Sequence, residues 1–147
     1  MIQENTIRTP TTKEEWKKYY DLRYRLLRKP WGKPVGSEKD KMEKDSIHAA
    51  YFKDDQILGV CRLQKNNEQT GQVRYMAVEE STQGMGIGKK IMSYIEDKAR
   101  EEGLSEIVLH ARENARRFYE SAGYGFVAKS YVLYGVIPHY KMLKKLN

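Results

Sequence analysis

Hydrophobic and polar positions follow two different periods along the chain, one typical of strands and one typical of helices. Residues 47–53, 56–64 and 72–78 are largely apolar runs of strand length separated by polar turns, which predicts three consecutive strands in a meander. The period then changes, because every fourth residue between 87 and 99 is apolar. That spacing places one apolar stripe along a helix and predicts an α-helix at residues 87–99.

The rest of the chain supplies further elements of both kinds. A second helix is predicted to begin after a cap at Thr11 or Thr12 and to run to about Arg28, before Pro30 stops it. Residues 31–46 show no period and form a long loop, a kind of segment that is often functional. The remaining predicted elements are strands at 7–9 and 107–110, a helix at 113–122, and strands at 124–130 and 136–143.

This order of elements predicts an α/β fold in a single domain. A run of strands followed by alternating strands and helices indicates a sandwich of helices around a mixed sheet. The chain has 147 residues, which is long enough to bury one substantial core and too short to favour two domains. We therefore expect residues 1–147 to form one domain.

Composition narrows the setting. Apolar residues make up 39% and charged residues 32%, and no apolar run approaches the ~18 residues that a membrane span requires. Residues 1–10 are polar, so we expect no signal peptide. The single cysteine, Cys61, cannot form an internal disulfide and fits a reducing, cytoplasmic compartment. The net charge of +7 favours phosphorylated or otherwise anionic partners, or is simply a solvated basic surface.

The most specific stretch joins the third meander strand to the following helix through a glycine-rich turn. Glycines let a ligand approach the backbone closely, and a helix N-terminus offers free N–H groups that suit phosphate oxygens. A dinucleotide-binding G-x-G-x-x-G would need glycine at Lys89, and a phosphate-binding G-K-[ST] would need Ser or Thr at Lys90. Both alternatives fail on spacing.

What remains, Gln83-x-x-Gly86-x-Gly88, resembles the acetyl-CoA-binding signature of the GNAT superfamily of N-acetyltransferases. The preceding Met76-Ala77-Val78 resembles the end of the fourth strand of that fold. The resemblance implies a three-layer sandwich with a mixed, mostly antiparallel sheet flanked by helices, and acetyl-CoA as co-substrate without a metal. The coenzyme contacts that it implies are Met76, Ala77, Val78, Gln83, Gly84, Met85, Gly86, Ile87, Gly88 and Lys89.

A second motif supports the same family. The string from Phe118 to Tyr124 resembles the F-Y-x-x-x-G-[FY] that ends a strand–helix element of the superfamily. In family members the tyrosine at the position of Tyr119 often protonates the departing thiolate, which is feasible for a phenol. Many members carry asparagine seven residues earlier, where this chain has Arg112. Asn114 is the alternative, and the further coenzyme contacts implied on this helix are Asn114, Arg117 and Phe118.

The implied reaction is direct transfer of an acetyl group to an amine, which requires a base to take the proton of the amine. Backbone N–H groups freed by a bulge near residues 76–78 would stabilise the developing negative charge, although the sequence does not reveal a bulge. We name His139 and Glu79 as catalytic candidates beside Tyr119. The other bases left open are Glu80, His48 and His110.

The partners and the class of function stay open. The resemblance implies a small-molecule or peptide amine as the acceptor, and the C-terminal strands of this superfamily often mediate homodimers. One alternative function is a non-catalytic acyl-CoA-binding module with the same fold. A weaker alternative is a nucleic-acid-binding domain, suggested by the net charge of +7 and by strand residues such as Arg62, Arg74 and Tyr75.

Overall fold

The computed structural model describes residues 5–147, and residues 1–4 of the polar N-terminal segment lie outside that description. The strands are β1 (Asn5–Arg8), β2 (Ile47–Lys53), β3 (Gln56–Lys65), β4 (Thr70–Val78), β5 (Glu106–Arg112), β6 (Gly125–Leu133) and β7 (Ile137–Lys145). The α-helices are α1 (Lys13–Leu27), α2 (Ile87–Glu101) and α3 (Arg116–Ser121). Short 3-10 turns lie at Lys29–Trp31, Glu43–Asp45, Glu80–Thr82 and Glu113–Ala115. The predicted order of strands and helices is confirmed, and the long loop contains one of these turns.

The ends of the helices are set by the residues that the sequence indicates. The Thr12 hydroxyl accepts a hydrogen bond from the Glu15 N–H at 3.1 Å, so Thr12 is the cap of α1. Gly103 follows α2 with φ +77°, and the N–H of Leu104 returns to the Ala99 carbonyl. None of the helices within residues 5–147 is long and apolar enough to cross a membrane.

The seven strands form one sheet in the order β1-β2-β3-β4-β5-β7-β6. Only the β4–β5 pair is parallel, so the sheet is mixed and mostly antiparallel, as the fold class requires. One face packs against α2 through a core that includes Leu63, Ile91 and Leu109. The other face packs against α1 through a smaller core that includes Leu22 and Val60.

The two central strands separate soon after they meet. The parallel ladder between β4 and β5 pairs Gly71 with Ile107 and ends where Gln72 meets Val108. Beyond that point, no strand within residues 5–147 pairs with the edges of β4 and β5 that face each other. The sheet is therefore open at its centre over the second half of β4.

A bulge in β4 lies beside this opening. Val60 pairs with Ala77 and Arg62 pairs with Arg74, so Tyr75 and Met76 both lie opposite the single residue Cys61 of β3. Tyr75 has φ +58°, a left-handed conformation that costs a non-glycine residue about 1–2 kcal/mol. The bulge bends β4 and interrupts its ladder with β3.

Buried ion pairs fasten the long loop to the sheet. The guanidinium groups of Arg23 in α1 and Arg62 in β3 are fully buried. Glu43 accepts from Arg23 at 3.0 Å and from Arg62 at 2.7 Å, and Asp40 accepts from Arg62 at 2.7 Å. Two loop carboxylates therefore neutralise two cations that would otherwise be buried without a counter-charge.

Acid should release this loop. Burial by itself would raise the pKa of Asp40, but the hydrogen bonds from Arg62 and from the Met42 N–H outweigh burial and lower that pKa to about 2. Burial also opposes the effect of Arg23 on Glu43, whose pKa is nevertheless lowered. Because both folded-state pKa values lie below the unfolded ones, the stabilisation is present above about pH 4 and is lost as the pH falls through the folded values.

We expect Glu43→Gln to lower the free energy of unfolding by about 3 kcal/mol, because two buried guanidinium groups lose their shared carboxylate. Urea denaturation at pH 7 measures this change. Glu68→Gln is the matched control, since Glu68 is exposed, and its effect should stay within about 0.5 kcal/mol. Two results would contradict the proposed role of Glu43. One is an equal loss of unfolding free energy in both variants. The other is a difference between Glu43→Gln and the parent that does not become smaller at acidic pH.

Candidate active site

The separation of β4 and β5 opens into a cavity of about 350 Å³ that passes from one face of the sheet to the other. Its wall includes the free half of β4, the end of β5 and the C-terminal end of α1. The wall residues with polar or charged side chains are Arg28, Gln72, Arg74, Tyr75, Glu80, Gln83, His110, Arg112, Asn114, Tyr119, Tyr131 and His139. The cavity is large enough for a small ligand and is the natural place for chemistry in this fold.

The backbone of β4 supplies hydrogen-bonding groups to the cavity. Met76, Ala77 and Val78 line it, and beyond Gln72 the side of β4 that faces β5 has no ladder partner. The bulge at Tyr75 and Met76 leaves a further main-chain group outside the β3 ladder. An extended ligand lying along β4 could therefore bind main-chain groups in place of the missing strand.

The glycine-rich turn presents the N-terminus of α2. Gly84 and Gly86 have φ +90° and +78°, and Gly86 is the cap residue of the helix. The first helical hydrogen bond runs from the Lys90 N–H to the Gly86 carbonyl at 3.1 Å, so the N–H groups before Lys90 have no partner within the helix. Such a cluster of donors at the positive end of a 15-residue helix suits a phosphate group.

Gly88 allows this turn to approach α3. A Cβ atom at Gly88 would lie 3.0 Å from Cε1 of Phe118, which is tighter than ordinary packing. Phe118 in turn contacts Tyr119 edge-on, with 4.9 Å between ring centroids. Because residue 88 is glycine, the glycine-rich turn packs closely against the Phe118 ring, which in turn contacts Tyr119.

Tyr119 is buried in the wall of the cavity, and within residues 5–147 its hydroxyl has no hydrogen-bond partner. Burial raises the pKa of the phenol well above its ordinary value of 10.0. The hydroxyl is therefore protonated at neutral pH and is free to donate its proton to a ligand.

His139 lies in the wall on β7, opposite Arg112 of β5. Its Nδ1–H donates to the Ile137 carbonyl at 3.0 Å, so the basic lone pair is on Nε2. The ring stacks on Tyr131 with 4.5 Å between centroids. Burial lowers the pKa of His139; the bond to Ile137 opposes this effect, and the charge of Arg112 adds to it. A neutral imidazole with one oriented nitrogen is a competent general base.

Comparison with known proteins identifies the family. The family model described as "Acetyltransferase (GNAT) family" matches residues 13–124. The chain belongs to the GNAT acetyltransferase family. The curated protein named Uncharacterized N-acetyltransferase YjcF, from Bacillus subtilis (strain 168), is 28% identical over 131 residues, covering 89% of this chain and 93% of that protein.

Solved structures show that residues 5–147 share the fold of known acetyltransferases. An aminoglycoside 6'-N-acetyltransferase complexed with coenzyme A superimposes with a TM-score of 0.81 at 18% identity, over 99% of this chain and 97% of that one. The ribosomal-protein-S18-alanine N-acetyltransferase from Escherichia coli gives 0.74 at 15% identity, over 98% and 95%. This GNAT protein is accordingly an N-acetyltransferase with the predicted three-layer fold.

The structure does not bring all the predicted site residues together. Gln83, Asn114, Tyr119 and His139 lie in the cavity wall with residues 76–78. The Glu79 carboxylate instead accepts a bidentate hydrogen bond from Arg25, with the shorter contact at 2.8 Å, and does not line the cavity. The other predicted residues, Gly84, Met85, Gly86, Ile87, Gly88, Lys89, Arg117 and Phe118, surround the turn and α3 outside the cavity wall.

The other candidate bases lie in different surroundings. His48 is buried between the Tyr19 hydroxyl, 2.9 Å from Nδ1, and the Glu43 carbonyl, 2.7 Å from Nε2, and it lines no part of the cavity. His110 and Glu80 do line the cavity.

Cys61 is fully buried, and burial raises the pKa of its thiol to about 12, which fits a packing residue.

The sequence indicates neither the place of Arg28 in the site nor the position of the bulge. It indicates Arg28 only as the end of a helix, and it leaves open whether Arg112 or Asn114 replaces the usual coenzyme-contacting asparagine. Arg28 enters the wall because α1 ends beside the opening between β4 and β5. A signal was available for Arg112, since it follows an apolar strand at the position where relatives place a coenzyme contact.

We expect His139 to be neutral at pH 7 and to titrate below 6.5, the ordinary value for histidine, because burial and Arg112 both disfavour the cation. Arg112→Gln should raise the pKa of His139 by removing the nearby positive charge. NMR titration of the imidazole signals, assigned with a His139→Gln variant, measures both values. Arg100→Gln on the exposed side of α2 should leave the titration unchanged, and a variant at 112 that also leaves it unchanged would refute this electrostatic coupling.

Proposed function

We propose that this enzyme transfers an acetyl group from acetyl-CoA directly to a primary amine of a small molecule or peptide. The observation that carries the proposal is the convergence of three features on one opening in the sheet. These are the free edge of β4, the N-terminus of α2 with its glycine turn, and the protonated Tyr119 hydroxyl. The neighbouring structure with bound coenzyme A supports an acyl-CoA substrate.

The charged and uncharged parts of acetyl-CoA match different parts of this opening. The pyrophosphate would bind the N–H groups of Gly84 and of residues 86–89, since the Met85 N–H already donates to the Thr82 carbonyl, and the exposed Lys89 and Lys90 would add positive charge. The pantetheine arm contains amides and would bind the free edge of β4 at residues 76–78 as an additional strand would. This placement brings the thioester to the bulge and to Tyr119.

The wall residues can then supply each proton transfer. Nε2 of His139 takes a proton from the amine, directly or through water, as the amine nitrogen forms a bond to the thioester carbon. A main-chain N–H near the bulge stabilises the negative charge on the carbonyl oxygen. The carbon–sulfur bond breaks, and the Tyr119 hydroxyl gives its proton to the thiolate. The products are the N-acetylated amine and coenzyme A, and the proton on His139 returns to the Tyr119 phenolate through solvent, which restores both residues.

The choice of acceptor depends on residues outside the coenzyme site proposed above. The two neighbouring structures are named for different acceptors, an aminoglycoside and the alanine of a ribosomal protein, although both share the fold of this chain. The fold therefore supports N-acetyl transfer without choosing the amine.

Binding of acetyl-CoA through the glycine turn can be tested with two matched substitutions. Gly86→Ala and Gly103→Ala each force a side chain into the left-handed region, at φ +78° and +77°, with no neighbouring atom within 4 Å. Both should lower the free energy of unfolding by about 1–2 kcal/mol. Only Gly86→Ala should weaken acetyl-CoA binding, by about tenfold, because it reorients donors at the helix N-terminus.

Isothermal titration calorimetry with acetyl-CoA and with acetyl-pantetheine, which lacks the pyrophosphate, measures these affinities. Acetyl-pantetheine should bind the parent protein much more weakly than acetyl-CoA does. A parent protein that is folded and binds neither compound would overturn the proposed function.

The role of Tyr119 as proton donor predicts a selective loss of rate. Tyr119→Phe should lower kcat by about 10²–10⁴-fold while leaving the affinity for acetyl-CoA nearly unchanged, because the ring packing is kept and only the proton is lost. Release of coenzyme A thiol from acetyl-CoA in the presence of an amine measures kcat. Tyr94→Phe on α2, outside the cavity wall, is the control and should retain the parent rate. An unchanged rate in Tyr119→Phe would remove Tyr119 from the acid role.

A further inference from the structure

The cavity opens on the α1 side of the sheet beside a group of cationic side chains. Leu109 and Ala111 of β5 face the core under α2, so the alternation of a strand places His110 and Arg112 on the opposite face. The antiparallel register sets Arg112 opposite His139 and His110 opposite Lys141 on that face. The helix α1 covers β3 and β4 there but does not extend over β5 and β7. This part of the sheet face, defined by His110, Arg112, His139 and Lys141, is called the acceptor face; it is half-buried, and Tyr131 of β6 stacks on His139 there.

The charges in the cavity wall are unbalanced. The wall contains three arginines, Arg28, Arg74 and Arg112, and Glu80 is the only carboxylate among its residues, all of which lie in the described part of the chain. Arg74 has an external partner, since its guanidinium lies 3.3 Å from Asp40. The net charge of this wall is therefore positive.

Arg28 and Arg112 differ from the other arginines around the site. Arg28 donates to the carbonyls of Ser37 and Leu27 at 3.0 and 3.2 Å, but within residues 5–147 it forms no ion pair with a carboxylate. Arg112 is half-buried, and within the same residues no carboxylate and no carbonyl accepts a hydrogen bond from it. Both arginines line the same cavity. Burial lowers the pKa of Arg112, and the charge of Arg28 adds to that effect.

Holding two like charges together in a half-buried cavity is unfavourable unless an anion joins them. Acetyl-CoA does not supply that anion in the proposed arrangement. Its phosphates lie at the N-terminus of α2, and its pantetheine arm, which enters the cavity, carries no charge. The remaining candidate is the acceptor.

We propose that the acceptor amine carries a carboxylate or phosphate group, which binds Arg28 and Arg112 while the amine lies beside His139. The inference rests on the proposed function, because it assigns a chemical class to the second substrate. Directly opposed residues of an antiparallel pair have Cα atoms about 5 Å apart, so the amine and the anion are separated by only a few bonds. Polyamines and aminoglycosides, which carry several positive charges, are disfavoured by the same wall.

Matched amine pairs test the charge requirement. We would measure kcat/KM from thiol release with β-alanine against β-alaninamide, and with phosphoethanolamine against ethanolamine, using spermidine as the cationic amine. At least one anionic member should exceed its neutral partner by about tenfold or more, the effect of one charge-assisted hydrogen bond. The pair that shows the larger ratio distinguishes a carboxylate from a phosphate. Added salt should reduce the ratio.

Substitution at Arg112 tests whether this residue reads the anion. Arg112→Gln should raise KM for the anionic amine and abolish its advantage over the neutral partner, and Arg112→Lys should restore part of it because the charge returns without the bidentate geometry. The affinity for acetyl-CoA should stay the same in both. Arg100→Gln should keep the full preference, since Arg100 is exposed on α2.

The outcomes separate this inference from the proposed function. If acetyl-CoA binds and no anionic amine outperforms its partner, the inference is wrong and the transferase assignment stands. If Arg112→Gln weakens acetyl-CoA binding instead of acceptor use, Arg112 serves the coenzyme and the inference is also wrong. If the parent binds no acetyl-CoA, both fail.

Discussion

The site depends on a single irregularity in β4, where Tyr75 and Met76 occupy the space opposite one residue of β3. The extra residue turns β4 away from β5, and the ladder between them ends at Gln72. The backbone conformation of Tyr75 is unfavourable by about 1–2 kcal/mol, so the surroundings must hold it in place. The guanidinium carbon of Arg23 lies 4.3 Å from the centroid of the Tyr75 ring. The Tyr75 hydroxyl donates a hydrogen bond to the Asp40 carboxylate at 3.2 Å. Contacts of this kind contribute about 0.5–1 kcal/mol each, which together is enough to offset the strain.

Because the opening passes through the sheet, its two sides can serve different substrates. The α2 side supplies main-chain donors, which suit the phosphates of a carrier shared by many enzymes. The α1 side supplies side chains from β5 and β7, which can change without altering the fold. In the proposed arrangement the carrier site and the acceptor face are separate, which would allow one architecture to host acetyltransferases named for different acceptors.

The order of strands and helices followed from the sequence because apolar periodicity is a local property. The turn at residues 83–88 was also predictable, since glycine spacing reports directly on backbone geometry. The bulge was not, because tyrosine is an unusual residue for positive φ and only its tertiary contacts select that conformation. The partners of the Glu79 and Glu43 carboxylates were not predictable either, because they are arginines distant in sequence. Arg25 binds Glu79, and both Arg23 and Arg62 bind Glu43.

The distribution of these arginine partners also gives meaning to the net charge of +7. Arg23 and Arg62 are fully buried, and the loop carboxylates Asp40 and Glu43 neutralise them, so this part of the chain contributes structure rather than affinity. Arg28 and Arg112 lie in the cavity wall, where no carboxylate of residues 5–147, Glu80 included, forms an ion pair with either of them. Arg23 and Arg62 each have an acidic partner within the protein, whereas Arg28 and Arg112 have none in the described part of the chain. A bound anion would supply the missing negative charge at the opening.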